Sequence, residues 1–333
     1  MIEYVGKRIL LMVPVLLGVV LIVFTMTRLS PGDPARMLAG TDASEEAVEA
    51  LREELGLNDP LPLQFWRYIK GIVTKFDLGT SYQTKRPVIS ELMDRFPTTA
   101  KLALISITVS SLIGITLGII SAIKQNTAFD QLSRGIALLG VSMPAFWAGM
   151  MLILVFSVKL NWLPVSGIDS WRHWILPSAT SSMVGMAIIT RMTRSSMLDV
   201  ICQDYIVTAR AKGLSEWVVI TKHALKNALI PIITVLGIQL GHMLGGAVLT
   251  ESVFSIPGLG KFMVDSIKSR DYPTVQGGVL LLAVSFSLVN LLVDIIYAFV
   301  DPRIKSMYVQ KSGKKARHKE TDEAVNASAG GGN

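Results

Sequence analysis

The chain has 333 residues, half of them hydrophobic and only 17% charged, with a mean hydropathy of +0.49. A soluble domain carries about 25% charged residues, so the composition argues against a single soluble globule, a disordered chain and a collagen-like chain. The single cysteine, Cys202, leaves no disulfide framework and no multi-cysteine zinc site, and a net charge of +7 in so hydrophobic a chain reads as basic cytoplasmic loops, not as a nucleic-acid partner.

A bilayer core of about 30 Å needs roughly 20 apolar residues in a helix. Six stretches reach or approach that length: residues 9–29, 99–123, 136–160, 174–190, 229–250 and 276–300. The fourth is short and rich in Ser, Thr and Gly; it is kept because without it the basic loop that follows would fall on the wrong side. Residues 1–29 form the N-terminus and first span. A cleaved signal peptide is disfavoured there, because the uncharged run before Arg28 exceeds a usual signal core and Arg28-Leu-Ser-Pro-Gly-Asp-Pro34 offers no small-residue cleavage site.

Lysine and arginine set the orientation. With both termini cytoplasmic, Lys7, Arg8, Lys124, Arg134, the group Arg191, Arg194, Arg210, Lys212, Lys222 and Lys226, and the basic tail all lie inside. The short outer loops then hold few cations, and the long segment 30–97 translocates largely regardless of its charge.

Segment 30–97 is the one sizeable outer region. Asp42 and Glu45 have capping-box spacing, Val48, Leu51 and Leu55 follow at helical spacing, and Gly56 is a stop. The run Phe65-Trp66-Arg67-Tyr68-Ile69, continuing to Ile72 and Phe76, is helical and aromatic. It suits a membrane interface and suits packing inside an outer subdomain equally well. In the third span Pro144 removes a backbone hydrogen bond and predicts a kink, which reads either as a hinge or gate or as a proline merely tolerated in a membrane helix.

The loop after the fourth span, within 195–228, carries the strongest local signals. Residues 204–212 favour a helix, Gly213 stands where a left-handed cap belongs, and Ser215 with Glu216 can start a second helix. Helix, tight turn, helix is the expectation. Physics alone leaves open whether this hairpin projects into a cleft of another protein or lies on the bilayer.

The fifth and sixth spans hold the polar candidates. Gly237, Gly241 and Gly245 recur every fourth residue, a close-approach pattern for a seam within this subunit or with a partner. Gln239 and His242 lie mid-span and are candidates for a translocation path or for interhelical bonds. Asn290 and Asp294 lie along the sixth span, where a carboxylate costs on the order of 3 kcal/mol at the bilayer centre. Glu251, just beyond the fifth span, reads as part of an outer gate or as a solvated charge at a helix end. The tail, 301–333, is basic, then acidic, then glycine-rich; it cannot bury a core and is expected to be disordered. No phosphate-cradling Gly-x-x-x-x-Gly-Lys-Ser/Thr loop and no His-Glu-x-x-His pair occurs, so neither nucleotide hydrolysis nor a metal site is expected in this chain.

Several of these segments resemble one family. The stretch Thr208-Ala-Arg-Ala-Lys-Gly-Leu-Ser215 looks like the EAA loop of permease subunits from binding-protein-dependent ABC importers, with Gly213 at the glycine and Ala209 at the second alanine. Val207 and Thr208 stand where that pattern has Glu and its first Ala. Arg28–Pro34, Ser142-Met-Pro-Ala-Phe-Trp147, Thr250-Glu-Ser-Val-Phe-Ser-Ile-Pro-Gly-Leu-Gly260 and Asp294–Arg303 are similar to the first-type subunit of the peptide and nickel branch.

The resemblance implies an all-α, type I-like fold of six transmembrane helices: the first span, the outer segment 30–97, a five-helix core 98–300 with the coupling loop, and the tail. It implies a non-catalytic subunit in a bacterial or archaeal cell membrane, forming half of a pathway for di- or oligopeptides, nickel or glutathione. Its implied partners are a second permease subunit in a heterodimer, two ATPase subunits that carry ATP and Mg, an extracytoplasmic substrate-binding protein and the lipid bilayer. The coupling role falls on Tyr205, Ala209, Arg210, Lys212, Gly213, Leu214, Ser215 and Glu216. A secondary transporter or channel subunit is the competing reading; it would ordinarily show intramembrane charges and repeated halves, and only Asp294 answers to that.

Overall fold

A computed structural model describes residues 2–29, 32–40 and 42–300; the tail 301–333, expected to be disordered, lies outside the described residues. Among those residues the secondary structure is helical throughout apart from one isolated bridge between Thr80 and Pro87. Helix α1 (Ile2–Leu29) runs beside the last helix and leads to three short helices, α2 (Pro34–Ala39), α3 (Glu45–Glu54) and α4 (Leu61–Lys75).

The start of α3 differs from the expected capping box. Its N-cap is Ser44, whose hydroxyl accepts from the Ala47 amide at 3.3 Å, while Gly56 ends the segment in a left-handed conformation as its position required. Asp33 caps α2 and pairs with Arg52 of α3 through Nε at 3.1 Å, which fastens the two helices. Burial alone would raise the Asp33 carboxyl, but Arg52 and the Ala35 amide together hold it below its ordinary value. Helix α4 sets Phe65 and Tyr68 against Phe24 of α1, with ring centroids 5.3 and 6.3 Å away, and leaves Trp66 exposed. Its aromatic stripe is thus divided between packing and an open face.

Helix α5 (Val88–Ile123) begins about three turns before the expected span, because its first turns are amphipathic and its Glu91 is buried between Arg86 and Arg95. The third expected span is not one kinked helix. Helices α6 (Ala128–Ser142) and α7 (Ala145–Leu152) meet at 104°. Pro144 forces Met143 into an extended conformation (ψ 129°) and starts a new helix instead of bending the old one. A π-helical stretch, Ile153–Lys159, completes the second arm.

After a short 3₁₀ turn (Trp171–Trp174), α8 (Ile175–Ile201) crosses the middle of the bundle, packed by α5, α6, α7 and α11. It extends well beyond the expected 174–190. Ser178, Thr180, Ser182, Gly185, Thr190 and Thr193 are buried along it, and Ser110 of α5 donates to the Ser182 carbonyl at 3.0 Å. Then come α9 (Asp204–Ala211), α10 (Glu216–Val218), a π turn (Val219–Ala224), α11 (Leu225–Gly246), α12 (Val248–Val253), α13 (Leu259–Lys268) and α14 (Tyr272–Val300).

Four helical runs are long and apolar enough to cross a membrane: Val5–Leu29, Val88–Ile123, Glu216–Gly245 and Tyr272–Tyr297; the bent pair makes a fifth if counted as one span. Helix α8 has the length but not the apolarity, because its small polar side chains face protein and not lipid. Two of the four buried clusters among the described residues brace the bundle ends. One, with Met197, Ile206, Val219 and Ile232, roots the α9–α10 hairpin; the other, with Leu102, Trp174, Phe254 and Ile256, closes the opposite end.

Candidate coupling hairpin and translocation cavity

The hairpin forms from local signals. Helix α9 ends at Ala211 with Lys212 as its C-cap, Gly213 takes φ +76°, and its amide donates to the Arg210 carbonyl at 2.9 Å. The conformation is one that only glycine adopts without strain. A Cβ at Gly213 would meet nothing within 4 Å, so dihedral angle and not crowding fixes the residue type. Ser215 has the extended backbone of an N-cap (φ −63°, ψ 145°), yet its hydroxyl makes no capping bond, contrary to the expected side-chain cap. What closes the turn is a fork: Arg210 reaches Glu216 through Nη2 at 2.7 Å and Nε at 3.1 Å. That carboxylate raises the Arg210 guanidinium above its ordinary pKa.

Ala209 is buried with Ile206 in the root, so it packs and does not present itself. Tyr205, Lys212 and Leu214 are exposed, and so are Val207 and Trp217, the latter at 77%. Those last two were missed in the sequence; their signal was an exposed-looking apolar side chain among polar neighbours on each helix that flanks the turn. A tip carrying Leu214, Trp217 and Val207 beside Arg210 and Lys212 has the mixture of apolar anchor and cation found at protein interfaces.

A cavity of about 370 Å³ opens where α5, α8, α11 and α12 converge. Its walls are mostly apolar, with Ser106, Thr180, Ser181, Gln239, His242 and Thr250 as the polar groups. Gln239 and His242 both line it. The Ser106 hydroxyl is buried without a hydrogen-bond partner among the described residues, and Ser181 donates to Thr250 at 3.0 Å. Ala145, the first residue after the Pro144 break, also lines the cavity.

Glu251, next to Thr250, is not a solvated charge. It is fully buried and accepts from the Thr99 hydroxyl at 2.6 Å and from the Lys261 amide at 2.8 Å, while Thr99 in turn accepts from the Leu259 amide at 2.8 Å. The carboxylate sits over the first turn of α13, where the orphan amides and the helix dipole favour it. Gly258 leaves the space, because a Cβ there would overlap the Glu251 carboxyl.

The other candidates lie elsewhere. Asn290 and Asp294 line a separate crevice between α1 and α14, and Asp294 pairs with Arg8 at 3.0 Å, which offsets the cost of a carboxylate in an apolar helix. Gly237 and Gly241 let α11 close on Val293 and Phe286 of α14, so that part of the seam is internal, whereas Gly245 has nothing within 4 Å. Sequence reasoning also missed a buried carboxylate, Asp130. It accepts from Ser121 at 2.5 Å, from the Asn126 amide at 3.0 Å and from Arg194 Nε and Nη2 at 2.7 and 2.8 Å. Its strongest partner lies 64 residues away.

Comparison with known proteins agrees with this architecture. The family described as "Binding-protein-dependent transport system inner membrane component" matches residues 114–306, and its N-terminal membrane-component companion matches residues 1–103. The chain is 47% identical over 305 residues to the glutathione transport system permease protein GsiC of Escherichia coli K12, covering 92% of this chain and 99% of that protein. The corresponding protein of Salmonella paratyphi A is 46% identical over the same length. Among solved structures, the inward-facing MetNI methionine ABC transporter aligns with a TM-score of 0.54 at 18% identity, over 64% of this chain and 97% of that chain; at that identity the likeness speaks for the fold. Bundle, hairpin, motifs and matches converge: the chain belongs to the inner-membrane permease family of binding-protein-dependent ABC importers, whose members are non-catalytic membrane components working with a partner ATPase.

Proposed function

We propose that this chain forms half of the pathway by which an ATP-driven importer takes up a small peptide, glutathione being the best-supported cargo. The cavity carries the reading. Its volume of about 370 Å³ and its mostly apolar walls with a few convergent polar groups suit one small organic solute, and relatives 46–47% identical over nearly their full length are glutathione permeases. A second permease subunit would supply the facing half in a heterodimer, two ATPase subunits would hold ATP and Mg, and an extracytoplasmic binding protein would deliver the cargo. The lysine and arginine distribution favours both termini in the cytoplasm of a bacterial or archaeal cell, with α8 as the sixth crossing, shielded from lipid by its neighbours.

Coupling follows from continuity. The exposed tip between Arg210 and Trp217 would seat in a cleft of an ATPase subunit. Helical structure then runs without a break from Glu216 to Gln239 on the cavity wall, roughly 35 Å at 1.5 Å per residue. Rocking the tip therefore moves the wall. The test is ATP-dependent uptake of glutathione by vesicles containing the complete importer: uptake that needs this chain, ATP and the binding protein is expected, and uptake driven by an ion gradient without ATPase subunits overturns the reading.

A further inference from the structure

Helix α8 is buried at many positions, yet Ser181, Val184, Ile188, Arg191 and Ser195 stay half-open or exposed. Steps of three and four place these residues on a single stripe. The first three line the cavity described above; the last two line a second cavity, of about 410 Å³, shared with Arg134, Arg194 and Ser121. Ile188 and Arg191 are about 4.5 Å apart along the helix axis, so the stripe joins the two spaces.

Their electrostatics differ. No Asp, Glu, Lys or Arg lines the first cavity, whereas three guanidiniums line the second. One carboxylate, Asp130, faces them; Arg194 engages it with Nε and Nη2, and Arg134 stands 3.7 Å off. Among the described residues no carboxylate pairs with Arg191, which is exposed. Positive charge at this end of the bundle accords with topology, but topology does not require three arginines to converge on one cavity at the end of a pathway stripe.

We propose that this arginine-lined cavity is an exit subsite that receives a carboxylate of the imported peptide, with Arg191 as the group that binds it; the proposal rests on the peptide-importer reading. A guanidinium matches a carboxylate with two parallel hydrogen bonds, and a cleft lined by one sign of charge concentrates the opposite sign. An anionic cargo leaving the neutral cavity is drawn one turn along α8 toward Arg191, while Asp130 keeps Arg194 occupied and the subsite weak enough to release.

Site-specific protection tests this in the purified complete importer carrying Cys202→Ser, which leaves a Ser195→Cys substitution as the label site in this chain. An uncharged maleimide labels position 195, and S-methylglutathione, which has no free thiol, is titrated against the labelling rate. Protection by S-methylglutathione but not by its carboxyl-amidated analogue is expected. Arg191→Gln should raise the half-protecting concentration about tenfold, the size of one lost charge-assisted hydrogen bond, and Arg191→Lys, which keeps the charge and loses the fork, should recover only part of it. Equal protection by the amide, no protection, or no change in Arg191→Gln overturns the subsite. So does protection by phosphatidylglycerol in nanodiscs without peptide, which would mark a lipid site. Vesicle uptake separates the two levels: glutathione uptake without protection sinks only the subsite, and absence of both sinks the peptide reading with it.

Discussion

The Thr99 hydroxyl donates to the Glu251 carboxylate at 2.6 Å, joining residues 152 positions apart in a fully buried contact. With the Lys261 and Leu259 amides the pair binds α5, α12 and the first turn of α13 beside the cavity. Thr99→Val keeps the shape and removes the donor, so it should destabilise the chain by roughly 1–3 kcal/mol, the cost of a buried polar group left short of a partner. Glu251→Ala should cost more than Glu251→Gln, which retains acceptor capacity. Thermal unfolding in detergent measures the order, and a stable Glu251→Ala protein would contradict the latch.

At the opposite end, Asp130 and Arg194 form a forked pair on a carboxylate with no solvent exposure. Removing one member of such a pair costs about 3–5 kcal/mol because the other charge is left buried. Asp130→Asn and Arg194→Gln should each destabilise strongly, and the double variant should lose less than the two losses added. A double-mutant cycle from chemical denaturation reads this coupling directly; additive losses would show that the two side chains act independently.

At the hairpin, Gly213→Val and Gly213→Asn separate strain from crowding. The position is open, so neither side chain clashes within the chain. Left-handed φ costs roughly 1–2 kcal/mol for an ordinary residue and less for Asn. Valine should therefore break the turn and leave ATP hydrolysis running without transport, while asparagine retains coupled uptake. Parallel ATPase and uptake rates in reconstituted vesicles decide it, and coupled uptake by Gly213→Val would remove the turn from the coupling mechanism.

The contrast among these sites explains what could be read without a structure. Gly213 was legible because a positive φ, a helix-favouring run before it and a helix start after it all act within about a dozen residues. Glu251 and Asp130 were not, since their partners lie 152 and 64 residues away and nothing local distinguishes a buried carboxylate from a solvated one. Helix α8 was underestimated for a related reason. Hydropathy reports affinity for lipid, and a helix surrounded by other helices is free to carry Ser and Thr. Pro144 marked its position correctly but not the angle, because a kink and a full break share the same local chemistry.

The glycine series in α11 supplies a last test, because its three members now differ. A Cβ at Gly241 would overlap the Phe286 ring of α14 and one at Gly237 would overlap Val293, whereas one at Gly245 meets open space. Forcing a methyl group into a closed helix seam costs typically about 1–3 kcal/mol. Gly237→Ala and Gly241→Ala should therefore lower the melting temperature of the isolated chain, and Gly245→Ala should leave it unchanged. If Gly245→Ala instead weakens recovery of a second permease subunit on co-purification while the isolated chain melts normally, the open end of the stripe faces that partner. Equal melting losses at all three positions would mean that the seam does not end at Gly241.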